Sequence, residues 1–152
     1  MILKGTDNSI PFNFKLSEPS AQIKSAILLG ALNTPGVTSV IDKFNTRDHT
    51  EKLLNLYGAE INISKKNGMK KISIKGVKDL NAIKTYVPGD PSSALFPIIA
   101  ALICKGSNIL VKNVMINPTR AGAFKVLKKM GEKLSFHNHR IIQLSSLYSS
   151  LL

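Results

Sequence analysis

Pro19-Ser20-Ala21-Gln22-Ile23-Lys24-Ser25-Ala26-Ile27-Leu28-Leu29 sets small polar residues at the mouth of an apolar run. Further on, Thr46-Arg47-Asp48-His49-Thr50-Glu51 opens a second helix with an arginine in its first turn. Both put anion-binding groups at helix N-termini, where free backbone N–H groups and the dipole favour phosphate and carboxylate. The segment from Ser20 to Asn33 is apolar nearly all round, which predicts a helix buried on most sides. Thr34-Pro35-Gly36 ends it,. Val37 to Asp42 is rich in β-branched residues and reads as a strand. Asp48 with Glu51 three residues later has the form of a capping box, and Leu53, Leu54 and Tyr57 supply an apolar stripe,. Gly58 fits the left-handed position that stops such a helix. Glu60–Ser64 and Lys71–Lys75 then flank Asn67-Gly68, a strong hairpin signal,.

The same order returns downstream. Gly36-Val37-Thr38-Ser39-Val40 aligns with Gly106-Ser107-Asn108-Ile109-Leu110 at an offset of 70, and Thr46-Arg47 with Thr119-Arg120 at an offset of 73. Leu54 and Gly58 align with Leu127 and Gly131 at that second offset. A period of this size means one supersecondary unit used twice. In the second copy Ser92 or Asp90 caps a helix running to Cys104, with Pro97 inside it, so that helix starts late or is kinked early. Ile109–Val114 reads as a strand, and Thr119 as the cap of a helix through Met130 with Gly131 as its stop. Past Leu134 the pattern fades into a serine- and leucine-rich end, read as a divergent tail or a short apolar strand.

Composition narrows the classes. The chain has 152 residues and 43% apolar content, ordinary for a globular protein. A single cysteine, Cys104, rules out an internal disulfide framework and suits a reducing cytoplasm. Its apolar surroundings predict a buried, inert thiol. The N-terminus has no signal-peptide pattern. The apolar run Ala94–Cys104 has 11 residues where a membrane span needs about 20. The net charge of +12 permits nucleic-acid binding, anionic small substrates, or lysines on solvated faces. Lysines outnumber arginines and cluster at Lys65, Lys66, Lys70, Lys71, Lys75 and Lys78 in the hairpin region, whereas nucleic-acid sites usually interleave arginine with aromatics.

Ser20-Ala21-Gln22-Ile23-Lys24-Ser25-Ala26, Asn33-Thr34-Pro35-Gly36-Val37-Thr38, Thr46-Arg47-Asp48-His49-Thr50-Glu51, Val87-Pro88-Gly89-Asp90-Pro91-Ser92-Ser93-Ala94 and Asn117-Pro118-Thr119-Arg120-Ala121-Gly122 occur in this order. Together they resemble the central part of the 5-enolpyruvylshikimate-3-phosphate synthases, also called 3-phosphoshikimate 1-carboxyvinyltransferases. The resemblance implies an α/β fold of the enolpyruvyl-transferase type, an inverse α/β barrel, with two β-α-β-α-β-β units present out of six. On that basis residues 1–80 are the last unit of the family's first domain. Residues 81–136 are part of the first unit of its second domain, and 137–152 are a divergent tail. Leu3-Lys4-Gly5 resembles the end of a strand entered mid-unit.

The resemblance also implies function: transfer of the enolpyruvyl group of phosphoenolpyruvate to shikimate 3-phosphate, in chorismate and aromatic amino-acid biosynthesis, without cofactor or metal. Ser20, Ala21, Gln22 and Arg47 fall on the shikimate 3-phosphate site, with Gln22 also near phosphoenolpyruvate. Taken as sequence alone, Ser20 reads equally as a plain helix cap, and Arg47 as a salt-bridge partner of Asp48 or Glu51. Arg47 opposes the helix dipole where it stands, which suggests an anion in front of it. Lys24, one turn into its helix, reads as a residue facing the cleft or, as is commoner for lysine, a solvated one. Arg120 and Asn117 read as structural, and His49, His137 and His139 form no metal constellation. No catalytic group is assigned. The family's N-terminal Lys-Ser…Arg set, its Asn-Ala-Gly-Thr loop and its C-terminal aspartate, glutamate and Lys/Arg clamp match nothing in this sequence. The expected partners are the two substrates and the remaining parts of the same enzyme on other chains. Membrane and nucleic acid are not expected. The alternatives are a fragment of an enolpyruvyl transferase acting on a UDP-sugar, and a basic nucleic-acid-binding module.

Overall fold

The computed structural model describes residues 2, 4–76, 79–137 and 141–145. It divides into two compact units, Met1–Lys84 and Thr85–Leu152. The first unit holds β1 (Asn13–Lys15), α1 (Ala21–Ala31), β2 (Val37–Asp42), α2 (His49–Leu56), β3 (Glu60–Lys66) and β4 (Met69–Lys75). The second holds α3 (Pro91–Ile103), β5 (Asn108–Lys112), α4 (Gly122–Lys129), β6 (Lys133–His137) and β7 (Ile141–Ser145). The order helix, strand, helix, strand, strand therefore occurs twice, as the internal repeat requires.

The sheets follow the same plan. In the first unit the order is β1-β2-β4-β3, and in the second β5-β7-β6. In each, the second strand of the hairpin lies in the middle, antiparallel to both neighbours. In the first unit β1 adds a parallel edge, Asn13 to Ser39 through Lys15 to Ile41. The second unit keeps only a trace of that edge, one parallel bridge between Gly89 and Val114. The hairpin turn is of the type that favours twisted strands: Asn67 has φ 50° and Gly68 φ 75°,.

Helix ends are built alike in both units. In α2 the Gly58 N–H donates to Asn55 O and the Ala59 N–H to Leu54 O, with Gly58 at φ 87°. In α4 the Gly131 N–H donates to Lys128 O and the Glu132 N–H to Leu127 O, with Gly131 at φ 96°. This pair of bonds satisfies carbonyls that the helix leaves open, and it needs a left-handed residue at the stop. The two glycines sit at equivalent places in the repeat for that reason.

Each unit has its own core. Leu28 and Ala31 of α1 meet Val40, Ile72 and Ile74 of the sheet and Leu54 of α2. Ile98 and Ala101 of α3 meet Val114, Phe124 and Leu134. Burial alternates along β4, with Ile72 and Ile74 inward and the neighbouring lysines Lys71 and Lys75 exposed, as the pleat dictates. Lys65 and Lys66 are exposed as well.

Several expectations need correction. α1 is not buried on most sides: Lys24, Leu28 and Ala31 are buried, while Leu29 is 52% exposed. α3 likewise exposes Phe96 and Ile103, at 79% and 80%. Apolar composition fixes which residues can be buried, not how many neighbours this chain provides. Cys104 is exposed, because it caps α3 at the end of its exposed side. The Asp48/Glu51 capping box is not made; the Asp48 side chain makes no cap bond and pairs with Lys52 at 2.8 Å. Thr119 does not cap α4, which starts at Gly122 after Ala121. Its hydroxyl donates instead to Asn117 Oδ1 at 2.8 Å. Asp90, not Ser92, caps α3 by accepting from the Ser93 N–H at 3.0 Å, and α3 continues through Pro97. Lys4 and Gly5 lie in no strand, and Leu3 lies outside the described residues. The strand that sequence reading missed is Asn13–Lys15. Ile141–Ser145, within the expected tail, forms β7 and completes the second hairpin. Among the described residues no helix is long and apolar enough to cross a membrane.

Candidate substrate-binding site

The first unit brings the starts of α1 and α2 side by side. Between them lies an open cavity of about 470 Å³. Ala21, Gln22, Ser25, Ala26 and Leu29 of α1 form one wall, and Arg47, His49 and Thr50 the other. Ser25 Oγ and Thr50 Oγ1 are hydrogen-bonded at 2.6 Å and join the two walls. The first turns of both helices therefore border one space, where the helix dipoles place partial positive charge.

Three of the four residues singled out from the sequence, Ala21, Gln22 and Arg47, line this cavity. Ser20 does not. Its hydroxyl accepts from the Ile23 N–H at 3.2 Å and caps α1. Gln22 is exposed and Arg47 half-buried. The salt bridge considered for Arg47 is not formed: Asp48 pairs with Lys52, and Glu51 with Lys24. Among the described residues Arg47 has no ion pair. Its repeat partner differs. Arg120 Nη2 donates to Asp90 Oδ1 at 2.6 Å and to Ser92 Oγ at 2.7 Å. The Asp90 carboxyl is held below its ordinary pKa by the Ser93 N–H first and by Arg120 after it. Arg120 is thus committed within its own unit, the structural role expected for it.

Behind the cavity is a feature the sequence reading missed. Lys24 is 1% exposed. Its ammonium lies 2.6 Å from Glu51 Oε1 and 3.4 Å from Asp42 Oδ2, so the expectation of a solvated lysine is overturned. The signal was present: Lys24, Leu28 and Ala31 follow the i, i+4, i+7 spacing of one helix face, and that face is the buried one. Asp42 also accepts from the Phe44 N–H at 2.9 Å, the Thr46 N–H at 2.9 Å and the Thr46 hydroxyl at 2.7 Å. Burial by itself would raise the Asp42 pKa. The Thr46 hydroxyl, the two backbone N–H groups and Lys24 outweigh it and hold the carboxyl below its ordinary value.

That direction sets a pH dependence. A carboxyl whose pKa is lowered on folding stabilises the fold above its unfolded value of about 3.9 and loses this contribution as pH falls below it. Urea unfolding should therefore show a drop in stability between about pH 5 and pH 3 that is smaller in Asp42→Asn. Equal drops in both proteins would contradict the assignment.

Among the described residues no cluster of three or more metal-ligating side chains occurs. His139 lies outside the described residues, and of His137 only the backbone is described.

The model of the family "EPSP synthase (3-phosphoshikimate 1-carboxyvinyltransferase)" matches residues 3–149. The match extends beyond Leu134, where the sequence reading had the resemblance fade. A 3-phosphoshikimate 1-carboxyvinyltransferase of Chelativorans sp. is 50% identical over 139 residues, covering 91% of this chain and 31% of that protein. One from Zymomonas mobilis is 45% identical over 157 residues, covering 99% of this chain and 35% of the relative. The solved EPSP synthase from Acinetobacter baumannii aligns with a TM-score of 0.71 and 35% identity over 91% of this chain and 32% of its own. The chain thus spans about a third of the length of the relatives it matches. Its fold is that of the enolpyruvyl transferases, and the chain belongs to the EPSP synthase (3-phosphoshikimate 1-carboxyvinyltransferase) family.

Proposed function

We propose that the cavity between α1 and α2 is one patch of a shikimate 3-phosphate site. The whole enzyme to which it belongs transfers the enolpyruvyl group of phosphoenolpyruvate to the 5-hydroxyl of shikimate 3-phosphate, releasing phosphate. The observation that carries this reading is Arg47: a guanidinium at a helix start, with no ion pair among the described residues, lining the same cavity as Gln22. An arginine set against the helix dipole without an internal acid is stabilised by an external anion, and its planar fork suits a phosphate.

The residues divide the work as follows. Arg47 holds the phosphate. The Gln22 amide donates to substrate oxygens, and its position at the start of α1 also suits phosphoenolpyruvate. Ala21 offers only its backbone N–H. The Ser20 hydroxyl accepts from Ile23 and can donate its own hydrogen at the same time, so capping and phosphate contact are compatible. These groups bind and orient; proton transfer belongs to other parts of the enzyme. Within the family plan, residues 1–80 belong to the first domain, 81–136 begin the second and 137–152 follow it. The remaining units are its partners, and the setting is cytoplasmic.

The test is amide mapping by NMR. Shikimate 3-phosphate should shift the amides of Ala21, Gln22, Arg47 and His49 first. Shifts confined to the hairpin lysines, with salt-sensitive binding to generic DNA, would favour a nucleic-acid module instead.

A further inference from the structure

Arg47 makes no ion pair among the described residues although three acids lie close to it in the chain, of which the adjacent Asp48 pairs with Lys52. Glu51 lies in the first turn of α2, four residues beyond Arg47, which stands just before the helix. Asp42 is five residues back, at the end of β2. Both carboxylates are held by Lys24. We infer that Lys24, Asp42 and Glu51 form a positioning network that keeps Arg47 unpaired and fixes where it stands. This rests on the reading of the cavity as a phosphate site.

Two parts of the geometry carry it. First, Asp42 gathers the Phe44 N–H, the Thr46 N–H and the Thr46 hydroxyl on one carboxylate. The loop between β2 and α2 is wrapped on that group, including Asn45 at φ 52°. Arg47 is the next residue, so its backbone position is set by Asp42. Second, Lys24 stands two residues beyond Gln22 in α1 and reaches both Asp42 and Glu51. One ammonium therefore ties together the helix that carries Gln22, the loop that carries Arg47 and the helix that follows. Seen as stability alone the arrangement is poor. It buries one cation with two carboxylates, and Glu51 Oε2 has no hydrogen-bond partner. An apolar residue at position 24 would continue the stripe of Leu28 and Ala31 at lower desolvation cost. What the network supplies is geometry, together with sequestration of Glu51 from Arg47.

The experiment is a mutant cycle read by calorimetric titration with shikimate 3-phosphate. Lys24→Met should weaken binding about tenfold in the wild-type background and less than about twofold in the Arg47→Ala background, since coupled residues lose additivity. Adding Glu51→Gln to Lys24→Met should restore most of the affinity, because the Glu51 carboxylate released by the loss of Lys24 is then gone, while Asp42 stays engaged by Phe44 and Thr46. Equal losses in both backgrounds, or no recovery in the double variant, would overturn the proposal. Should Lys24→Met fail to fold, Thr46→Val enters the same cycle. It removes one bond to Asp42 and should weaken binding only when Arg47 is present; an equal loss in both backgrounds again overturns the proposal. If wild type does not bind the ester, the phosphate-site reading fails separately. The network is then judged by hydrogen exchange in Thr46→Val. Faster exchange confined to residues 44–47, with Ile72 and Ile74 unchanged, supports it, and no local change overturns it.

Discussion

Assayed alone, the 152 residues should release no phosphate from phosphoenolpyruvate and shikimate 3-phosphate above background. The cavity is lined by Gln22, Arg47 and the starts of two helices, with no carboxylate among its lining residues. Asp42 and Glu51 are buried and engaged by Lys24, and Asp48 pairs with Lys52. Addition and elimination at the enolpyruvyl carbon need positioned acids and bases, and cations around two anionic substrates. The motifs that supply these in the family match nothing between Met1 and Leu152. Loss of one positioned electrostatic group commonly costs about 10²–10³ in rate, and here several are absent together. Turnover in the ordinary range of about 1–10³ per second would contradict this. Activity that returns on adding the remaining segments of the enzyme would support assembly from parts.

Gly76→Ala should be the most damaging single substitution in the first unit that touches no charge. The Gly76 N–H donates to Gly36 O at 3.0 Å. A Cβ placed there would overlap the carbonyl oxygens of Thr34 and Ala31. Both belong to backbone at the end of α1, which cannot swing aside as a flexible side chain would. Relief requires moving α1 off β4, where Leu28 and Ala31 pack with Ile72 and Ile74. The expected loss is at the upper end of overpacking effects, about 3 kcal/mol. Gly68→Ala is the control. It has open space around it but φ 75°, so it should cost about 1–2 kcal/mol from backbone conformation alone. Urea midpoints decide the matter, and an unchanged midpoint for Gly76→Ala would refute the packing argument.

The repeat was legible because its marks are local. Gly58 and Gly131 stop helices by one mechanism, Asn67-Gly68 turns a hairpin, and Val37–Asp42 carries a strand composition. Each element formed where those residues placed it. The misses share another cause. Asn13–Lys15 is too short to show periodicity, and it becomes a strand only by pairing with Ser39–Ile41 from beyond α1. The repeat is equally weak there, since its second copy is a single bridge at Gly89.

At the site, Ala21, Gln22 and Arg47 were named from sequence, and the fold brings them to one cavity. Lys24 was misjudged because a lysine in an apolar helix usually reaches solvent. Its burial depends on two acids, Asp42 and Glu51, that are distant from it in sequence and meet it only in the folded unit. Glu51 was assigned to a cap for the converse reason. Its spacing from Asp48 fits a capping box, but in the folded unit its carboxylate lies 2.6 Å from the buried ammonium of Lys24. The exposed faces of α1 and α3 could not be inferred from composition either, since an apolar helix reads the same whether its partners lie on this chain or elsewhere.

The central claim is that the cavity binds a phosphate ester through Arg47. It is tested most directly by titration calorimetry of shikimate 3-phosphate against wild type, Arg47→Ala and Arg120→Ala. Arg47→Ala should weaken binding by about 1.5–3 kcal/mol, the range for hydrogen bonds to a charged group. Arg120→Ala should leave affinity unchanged, because that arginine is already committed to Asp90 and Ser92. Equal affinity of wild type and Arg47→Ala, or a loss in Arg120→Ala as large as in Arg47→Ala, would contradict the account.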